Sequence, residues 1–370
     1  MTAPHGHAPE GSPEITAEAL ASRLGTDTAP MVLDVREPAE FGAWAIPGAR
    51  NVPLGELTAT IPTFDVDREV VVVCASGSRS ARAVSSLRAA GVAATNLAGG
   101  MLAWAGVYDT AEIDLGAARI VQVRRRGKGC LSYVVGAGGE AFVVDPSLDL
   151  EHYLDAAADH GWRITRVLDT HLHADHLSGA RALAEVTGAS LHLNPADPFD
   201  FPYEPLSDGQ RIDLGGHVHF GVTAFSTPGH TRGSTVFEVG GRALLTGDTL
   251  FLDGVGRPDL ADHAAEYARD LYRSLHATVV ALPGEAMVLP AHYAEAVTVR
   301  PGEVVGAPLD ALRRRVPQLA WPEDRFVHWA ANRATPRPPH YRDIVRVNRG
   351  AEATPQAWRR LEIGPNRCAA

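Results

Sequence analysis

The densest group of chemically capable side chains lies in residues 170–176, which read THLHADH. Four of them are metal-ligand types, in a chain of 370 residues that has only 16 histidines. The segment follows an apolar run and precedes a helical pattern, and a loop between a strand and a helix can turn several side chains toward one point, as a metal ion requires. The spacing therefore predicts a metal site. The four residues are His171, His173, Asp175 and His176.

Three later segments supply further ligand types, each at the end of an apolar run. They are TPGH ending at His230, TGD ending at Asp248, and LPAH ending at His292. Taken singly, each is an ordinary turn residue, helix cap or satisfied polar group. We interpret the complete ordered set of seven donors as one metal centre, because ordinary turns and helix caps seldom give such a set in this order.

A second group with chemical potential is a thiol on a loop. Four valines at 70–73 are followed by Cys74 and the loop ASGSRS, which leads into a helical pattern. A thiol at the carboxyl end of a buried parallel strand faces backbone N–H groups and a helix N-terminus, and both stabilise the thiolate. Arg79 adds a positive charge nearby. The pattern favours a nucleophilic Cys74 with Arg79 in its active loop over an inert buried cysteine.

Two α/β units must position these side chains. At 14–108, short apolar strands alternate with helical segments, which is typical of a parallel sheet with both faces covered. At 118–300, successive strands come first and helices follow, which predicts a second α/β domain with an antiparallel start. The remaining segments are predicted as a disordered tail at 1–13, a linker at 109–117, and a helical C-terminal extension at 301–370 that packs on the second domain.

The thiol loop, C-x-x-G-x-R-S after an apolar strand, resembles the active loop of single-domain rhodaneses. Other segments resemble that family in the same order: DVREPAEF at 34–41, IPGARNVPL at 46–54 and LAGGMLAW at 97–104. Ala45 stands where the family often has His. The resemblance implies a rhodanese-like domain in which Cys74 carries sulfane sulfur as a persulfide.

The ordered metal-ligand types at 118–300 resemble the metallo-β-lactamase superfamily, which implies an αββα sandwich with the site at the sheet edge. GDTLF at 247–251 and GVGRPD at 254–259 resemble the branch that holds persulfide dioxygenases and glyoxalase II hydrolases. IGPNRC at 363–368 resembles the C-terminus of dioxygenase-like members. Tyr293 directly follows the last histidine, whereas those dioxygenases commonly place one residue between, so no thiol-binding role is carried over to it.

The resemblance leaves two schemes for the same seven donors. In a hydrolase, two Zn²⁺ share all of them and generate a hydroxide at neutral pH. One Zn²⁺ is held by His171, His173 and His230, the other by Asp175, His176 and His292, and Asp248 bridges them. In a dioxygenase, one Fe²⁺ is held by His171, His230 and Asp248, which leaves positions for a substrate sulfur and O₂. The other four, His173, Asp175, His176 and His292, then orient ligands or solvent.

The thiol loop favours the dioxygenase, because rhodanese chemistry and persulfide oxidation both handle sulfane sulfur. We therefore expect a persulfide dioxygenase that converts a low-molecular-weight thiol persulfide and O₂ to thiol and sulfite. It would be fused to a sulfurtransferase that acts on thiosulfate or persulfide. The alternative is a dinuclear-zinc, glyoxalase II-like thioester hydrolase with a rhodanese sulfur-binding module. Arg257 is predicted to meet a substrate carboxylate.

Composition narrows the partners and the compartment. The 34 Lys and Arg against 44 Asp and Glu give a net charge of −10, which argues against nucleic acid as the main partner. No apolar run approaches about 18 residues and no signal peptide is visible, so we predict no membrane association and a cytoplasmic location. Cys74, Cys130 and Cys368 are scattered and odd in number, which suits a reducing compartment. Cys130 is interpreted as buried structure, Cys368 has no assigned role, and a homo-oligomer is left open.

Overall fold

The computed structural model describes residues 13–65, 67–214, 220–259, 263–294, 297, 299–333, 337, 340–354, 358, 361–364 and 366. The predicted tail at 1–13, apart from Pro13, and Cys368 lie outside these residues. Among the described residues, the strands form three sheets, of five, seven and six strands. No helix in this described part combines the length and the apolar character that crossing a membrane requires.

The first sheet is parallel throughout and has the strand order β1-β5-β4-β2-β3. Its strands are β1 (Glu14–Ile15), β2 (Met31–Asp34), β3 (Arg50–Asn51), β4 (Val70–Val73) and β5 (Ala94–Leu97). Its helices are α1 (Ala17–Arg23), α2 (Pro38–Ala43), α3 (Leu57–Thr60), α4 (Ser78–Ala89) and α5 (Gly100–Trp104). Strand β4 lies at the centre and all four of its valines are buried, because apolar clusters cover both faces of the sheet.

The other two sheets belong to the second domain. The seven-stranded sheet comprises β6 (Tyr108–Asp114), β7 (Arg119–Arg125), β8 (Cys130–Ala137), β9 (Glu140–Val144), β10 (Arg163–Leu168), β11 (Ser190–Leu193) and β12 (Glu204–Pro205). The six-stranded sheet comprises β13 (Gln210–Leu214), β14 (Phe220–Ser226), β15 (Thr235–Val239), β16 (Ala243–Gly247), β17 (Met287–Pro290) and β18 (Ala307–Pro308). One apolar cluster, which includes Val144 of the first of these sheets and Leu245 of the second, joins their inner faces.

Helices cover the outer faces of this pair of sheets. The helices are α6 (Glu151–Asp159), α7 (Ala180–Thr187), α8 (Ala264–Arg273), α9 (Leu309–Arg315), α10 (Glu323–Asn332) and α11 (Tyr341–Asn348). The structure also contains short 3-10 segments at Ile61–Thr63, Val279–Ala281 and Pro317–Ala320 and a π-helical turn at Ser274–Thr278. Helices α6 and α7 pack on the seven-stranded sheet, whereas α8, α9 and α10 pack on the six-stranded one. The predicted αββα sandwich, with its helical C-terminal extension, is therefore confirmed.

The predicted linker at 109–117 is wrong. Tyr108–Asp114 forms β6, which pairs with β7 in antiparallel register over seven residue pairs. The strand lies at the edge of the sheet and only Ala111 is fully buried, so its sequence lacks the apolar character that marks an interior strand. The extension predicted at 301–370 is helical, but its helices are preceded by a short strand, β18, which pairs with β17.

Candidate metal centre and thiol loop

All four predicted ligand segments leave the sandwich at one edge. The loop at 169–179 follows β10, His230 lies between β14 and β15, and Asp248 directly follows β16. Because β16 and β17 are parallel, Asp248 and His292 emerge at the same end of the six-stranded sheet. The backbone N–H of Thr235 donates to the carbonyl of Thr170 at 2.8 Å, which joins the two sheets beside the site.

The seven predicted donors converge into two adjacent groups. Within each group, the candidate ligand atoms lie within 4.8 Å of one another. The three-residue group is His171, His230 and Asp248, and the four-residue group is His173, Asp175, His176 and His292. The groups meet where His292 Nε2 lies 3.3 Å from Asp248 Oδ1 and 3.2 Å from Asp175 Oδ2. The structure thus brings together every predicted donor, and their assignment as ligands remains a prediction.

The polar atoms at the centre fit a metal ion. His171 Nε2, His230 Nε2 and His173 Nδ1 find no hydrogen-bond partner among the described residues, and the three histidines are at most 3% exposed. An unpartnered buried polar atom is costly, and imidazole nitrogen is a preferred ligand of zinc and iron. Two of these nitrogens face one carboxylate, because Asp248 Oδ2 lies 3.7 Å from His171 Nε2 and 3.4 Å from His230 Nε2. The arrangement fits a metal ion better than an ordinary polar core.

The opposite nitrogen of each of these three histidines is held by the protein. His171 Nδ1 lies 2.9 Å from Thr170 Oγ1, and His173 Nε2 lies 3.1 Å from Asp145 Oδ1. His230 Nδ1 donates to the carbonyl of Arg257 at 2.9 Å. Such contacts fix the tautomer and the ring orientation of a metal-binding histidine.

Burial keeps most of these imidazoles neutral, which is the form that binds a metal. It lowers the pKa of His171 well below its usual value, that of His230 to about 4, and that of His292 to about 3. His173 differs: burial opposes its charge, but the Asp145 carboxylate raises the pKa of His173 to about 10. A metal ion at His173 would therefore have to displace a proton.

Three buried carboxylates beside the site were not found from sequence, those of Asp145, Asp169 and Asp197. Asp145 directly follows the buried strand β9, which is the same strand-end signal that marked Asp248. The sequence around Asp197 does not indicate a role in the site, because Asp197 lies in a polar turn. Its carboxylate accepts the backbone N–H of Leu172 and of Gly233, each at 2.8 Å, and so ties the two histidine-bearing loops together.

Arg257 is buried and engaged by neighbouring groups of the protein. Its guanidinium is buried and paired with Asp259, with contacts of 2.7 and 2.8 Å. Its carbonyl accepts the hydrogen of His230 Nδ1. The structure therefore shows that the Arg257 carbonyl orients the His230 ring, while contact of Arg257 with a substrate carboxylate remains a prediction.

Cys130 and Tyr293, which lie beside the candidate metal centre, are both buried. Cys130 begins β8 and forms an isolated β-bridge with His292, and its Sγ lies 3.8 Å from Asp175 Oδ2. Burial raises the pKa of the Cys130 thiol well above its usual value, so this thiol is not nucleophilic. Tyr293 lines a cavity of about 520 Å³ between the two domains, together with Trp104 and Arg126.

The thiol loop lies at the carboxyl end of β4, as predicted. Cys74 Sγ accepts the backbone N–H of Gly77 and the hydroxyl of Ser80, each at 3.2 Å. Burial favours the neutral thiol, but the Ser80 hydroxyl and the loop N–H groups overcome it and lower the pKa of Cys74. Helix α5 approaches so closely that a Cβ on Gly100 would lie 2.3 Å from the Cys74 carbonyl oxygen. The loop therefore stabilises a thiolate.

Arg79 of the same loop is paired with a carboxylate. Its two terminal nitrogens donate to the oxygens of Glu40 at 2.8 and 2.7 Å. The Arg79 guanidinium holds the pKa of Glu40 down at about 2. Glu40, in α2, thus sets the direction in which Arg79 points.

Two protein-family models match the chain. The model described as rhodanese-like domain matches residues 16–106, and the one described as metallo-beta-lactamase superfamily matches residues 125–292. The two matched stretches correspond to the parallel-sheet domain and to the sandwich that holds the seven donors.

Three curated relatives are similar to parts of the chain. A hydroxyacylglutathione hydrolase of Anaeromyxobacter dehalogenans is 38% identical over 174 residues, which is 46% of this chain and 63% of that protein, so the chain spans less than two thirds of it. An uncharacterized protein of Mycobacterium tuberculosis is 34% identical over 198 residues, 44% of this chain and 85% of that protein. The mitochondrial persulfide dioxygenase ETHE1 of Bos taurus is 29% identical over 209 residues, 55% of this chain and 80% of that protein.

Among solved structures, ETHE1 from Myxococcus xanthus superposes with a TM-score of 0.55 at 28% identity, covering 62% of this chain and 97% of that one. The family matches, the αββα architecture and the convergence of the seven donors agree with one another, and they indicate an enzyme with a metal centre. The chain therefore carries a rhodanese-like domain followed by a metallo-beta-lactamase domain.

Proposed function

We propose that this protein is a persulfide dioxygenase with sulfurtransferase activity. It would convert a low-molecular-weight thiol persulfide, O₂ and water to the thiol and sulfite. The proposal is carried by one observation: a group of two histidines and one carboxylate and a thiolate-stabilising loop occur in the same chain. Similarity to two ETHE1 proteins, one of them named a persulfide dioxygenase, supports it.

In this proposal His171, His230 and Asp248 hold one Fe²⁺. Two histidines and a carboxylate on one face leave open positions, so bound iron would supply a place where sulfur and O₂ meet. The chain's own contribution is orientation: Thr170 and the Arg257 carbonyl fix the two imidazoles. The ligands are almost fully buried, which keeps bulk water from the sulfur that is to be oxidised.

The thiol loop would perform the sulfur transfer. The Cys74 thiolate attacks the outer sulfur of thiosulfate, the S–S bond breaks, and sulfite leaves as a persulfide forms on Cys74. The hydrogen bonds from Gly77 and Ser80 stabilise the charged sulfur in this step. In the reverse direction, sulfite produced at the metal centre accepts the outer sulfur of that persulfide, which yields thiosulfate and regenerates the thiolate.

A second candidate is a dinuclear-zinc thioester hydrolase with a rhodanese sulfur-binding module. It is favoured by the closeness of Asp175, His176 and His292, which would hold the second ion in the zinc scheme, and by the hydroxyacylglutathione hydrolase relative. In that case Asp248 would bridge two Zn²⁺, and the bound ions would supply a hydroxide for thioester cleavage.

Metal content and oxygen consumption separate the two candidates. Protein purified without chelator is analysed for iron and zinc, then assayed with glutathione persulfide in an oxygen electrode and with an acyl-glutathione thioester. We expect about one iron per chain and persulfide-dependent O₂ uptake. About two zinc ions per chain, with thioester hydrolysis and no O₂ uptake, would overturn the dioxygenase.

A single variant sharpens the comparison. His176 belongs only to the four-residue group. In the dioxygenase, His176→Ala should leave the iron content near one per chain, whereas in the hydrolase it should remove one of two zinc ions.

Cys74→Ser tests the proposed sulfurtransferase activity. The variant should lose thiosulfate:cyanide sulfur transfer and keep the metal content of the wild type. Intact transfer would exclude Cys74 as the sulfur carrier.

A further inference from the structure

The C-terminal extension reaches back to the loop that bears four of the seven candidate metal-site residues. Asn348, the last residue of α11, uses both its amide nitrogen and its oxygen in this contact. Its Nδ2 donates to the carbonyl of His173 at 2.9 Å and to that of His176 at 2.8 Å. Its Oδ1 accepts the backbone N–H of Ser178 at 3.0 Å. One side chain from the extension thus fastens three positions of the metal-site loop.

A second tether lies beside the first. Glu362 accepts the backbone N–H of Leu177 at 2.6 Å through Oε1 and pairs with Arg125, at the end of β7, through Oε2. The Leu177 side chain packs in an apolar cluster with Ile344 and Leu361 of the extension. Polar and apolar contacts from the extension therefore both fix the metal-site loop at Leu177.

The loop depends on these contacts because it forms neither a helix nor a strand between His171 and Leu177. Its backbone groups need partners from elsewhere. His171 and His230 are oriented by Thr170 and by the Arg257 carbonyl, which belong to the sandwich itself. The carbonyls of His173 and His176 receive their hydrogen bonds from Asn348 instead.

We propose that Asn348 is a positioning residue of the metal centre, which keeps the backbone of His173 and His176 in the conformation that lets the four-residue group converge. The C-terminal extension then helps to set the geometry of the metal centre, in addition to packing against it. This inference goes beyond the proposed function, because it concerns how the four-residue group is assembled and not which metal or reaction the centre serves. The amide hydrogens are essential in it, since only a donor can satisfy two carbonyls.

The test uses the metal-free full chain with Zn²⁺ and Co²⁺ as probes. Asn348→Ala removes the side chain, and Asn348→Asp keeps its shape while replacing the donor by an ionised acceptor that faces two carbonyl oxygens. Zn²⁺ affinity is measured by competition with a chromophoric chelator, and the ligand geometry by the visible absorption of bound Co²⁺. Both variants should bind Zn²⁺ at the four-residue group about 10- to 100-fold more weakly, the usual effect of losing a group that orients metal ligands, and should show an altered Co²⁺ spectrum.

A matched control comes from the same extension. Asn332, exposed at the end of α10, donates within its own helix, to the His328 carbonyl at 2.7 Å, and contacts no metal-site loop residue among those that the structure describes. Asn332→Ala should match the wild type in Zn²⁺ affinity and in the Co²⁺ spectrum. Wild-type behaviour of Asn348→Asp would overturn the proposal, since it would show that the side chain only fills space. If thermal melts of the metal-free proteins find Asn348→Ala poorly folded, the comparison of Asn348→Asp with Asn332→Ala decides.

Discussion

Asp145 Oδ1 lies 3.1 Å from His173 Nε2. The carboxylate at the end of β9 therefore fixes the His173 ring through the nitrogen opposite to Nδ1, which faces the candidate metal centre. The other oxygen of Asp145 accepts the hydroxyl of Thr170 at 2.9 Å, and that hydroxyl lies 2.9 Å from His171 Nδ1. One carboxylate therefore orients two of the candidate ligands, one from each group.

Replacing this carboxylate should weaken metal binding without disturbing the backbone. Asp145 has φ of 55°, and Asn tolerates that conformation as well as Asp does. Asp145→Asn cannot accept from both Thr170 and His173 as the carboxylate does, so we expect the Zn²⁺ affinity to fall about 10- to 100-fold in a chelator competition. Asp149→Asn, at an exposed aspartate on the same segment, should leave the affinity unchanged. Equal affinities for the two variants would contradict this orienting role.

The thiol loop predicts a specific pH dependence. Because the pKa of Cys74 is lowered, its thiolate persists below the pH at which an ordinary thiol is protonated. Ser80→Ala removes one hydrogen bond to the thiolate, worth about 1.5 kcal/mol, and should raise the pKa by about one unit. Alkylation of Cys74 by iodoacetamide at pH 7 should then slow about tenfold, with the pH profile displaced upward. The control is Ser86→Ala, on the exposed face of α4; a profile for Ser80→Ala that coincides with it would refute the prediction.

The contact between the two domains depends on a glycine. A Cβ on Gly127 would lie 2.1 Å from the Trp104 carbonyl oxygen, and the Gly127 carbonyl accepts Trp44 Nε1 at 2.8 Å. Gly127→Ala must push the domains apart, so urea unfolding should show a loss of about 1–3 kcal/mol. Gly42→Ala, where an added Cβ meets nothing within 4 Å, serves as the control. If the two substitutions have the same effect on the free energy of unfolding, the close approach at Gly127 does not support the interface.

Acid should release the tether at Glu362. Burial disfavours its charge, but Lys128 and Arg125 outweigh that effect and lower the pKa of Glu362 to about 2. A carboxyl whose pKa is lower in the folded than in the unfolded state, where it is about 4.3, stabilises the fold above that pH and loses its contribution as the pH falls toward 2. The contribution is on the order of 3 kcal/mol.

Glu362→Gln tests this dependence by urea unfolding at several pH values between 7 and 3. The variant should be clearly less stable than the wild type at pH 7, because Arg125 loses its partner, and the difference should shrink as the pH falls. Glu352→Gln, at an exposed position in the same extension, should follow the wild type throughout. A gap that stays constant from pH 7 to pH 3 would show that the charge of Glu362 is not what stabilises the contact.

Much of the fold and the candidate site could be predicted because the signals are local. The four-valine run before Cys74, and the apolar runs before Asp248 and His292, each place a functional residue at a strand end. Parallel strands bring such ends to one edge, so ligand types in the right order predict a common site. Strand β6 was missed for the opposite reason: an edge strand carries little apolar pattern, and its pairing partner alone identifies it.

Contacts between distant residues could not be predicted in this way. Asn348 meets His173 across 175 positions of the chain, and Glu362 meets Leu177 across 185. The separation of the seven donors into groups of three and four likewise depends on how two sheets and the extension pack. Residue types and periodicity report local preference, and so they identified which side chains can bind a metal. Tertiary packing decides which of these side chains share an ion and which polar groups hold their backbone. It joins segments that are distant in the sequence, and no local pattern in either segment indicates its partner.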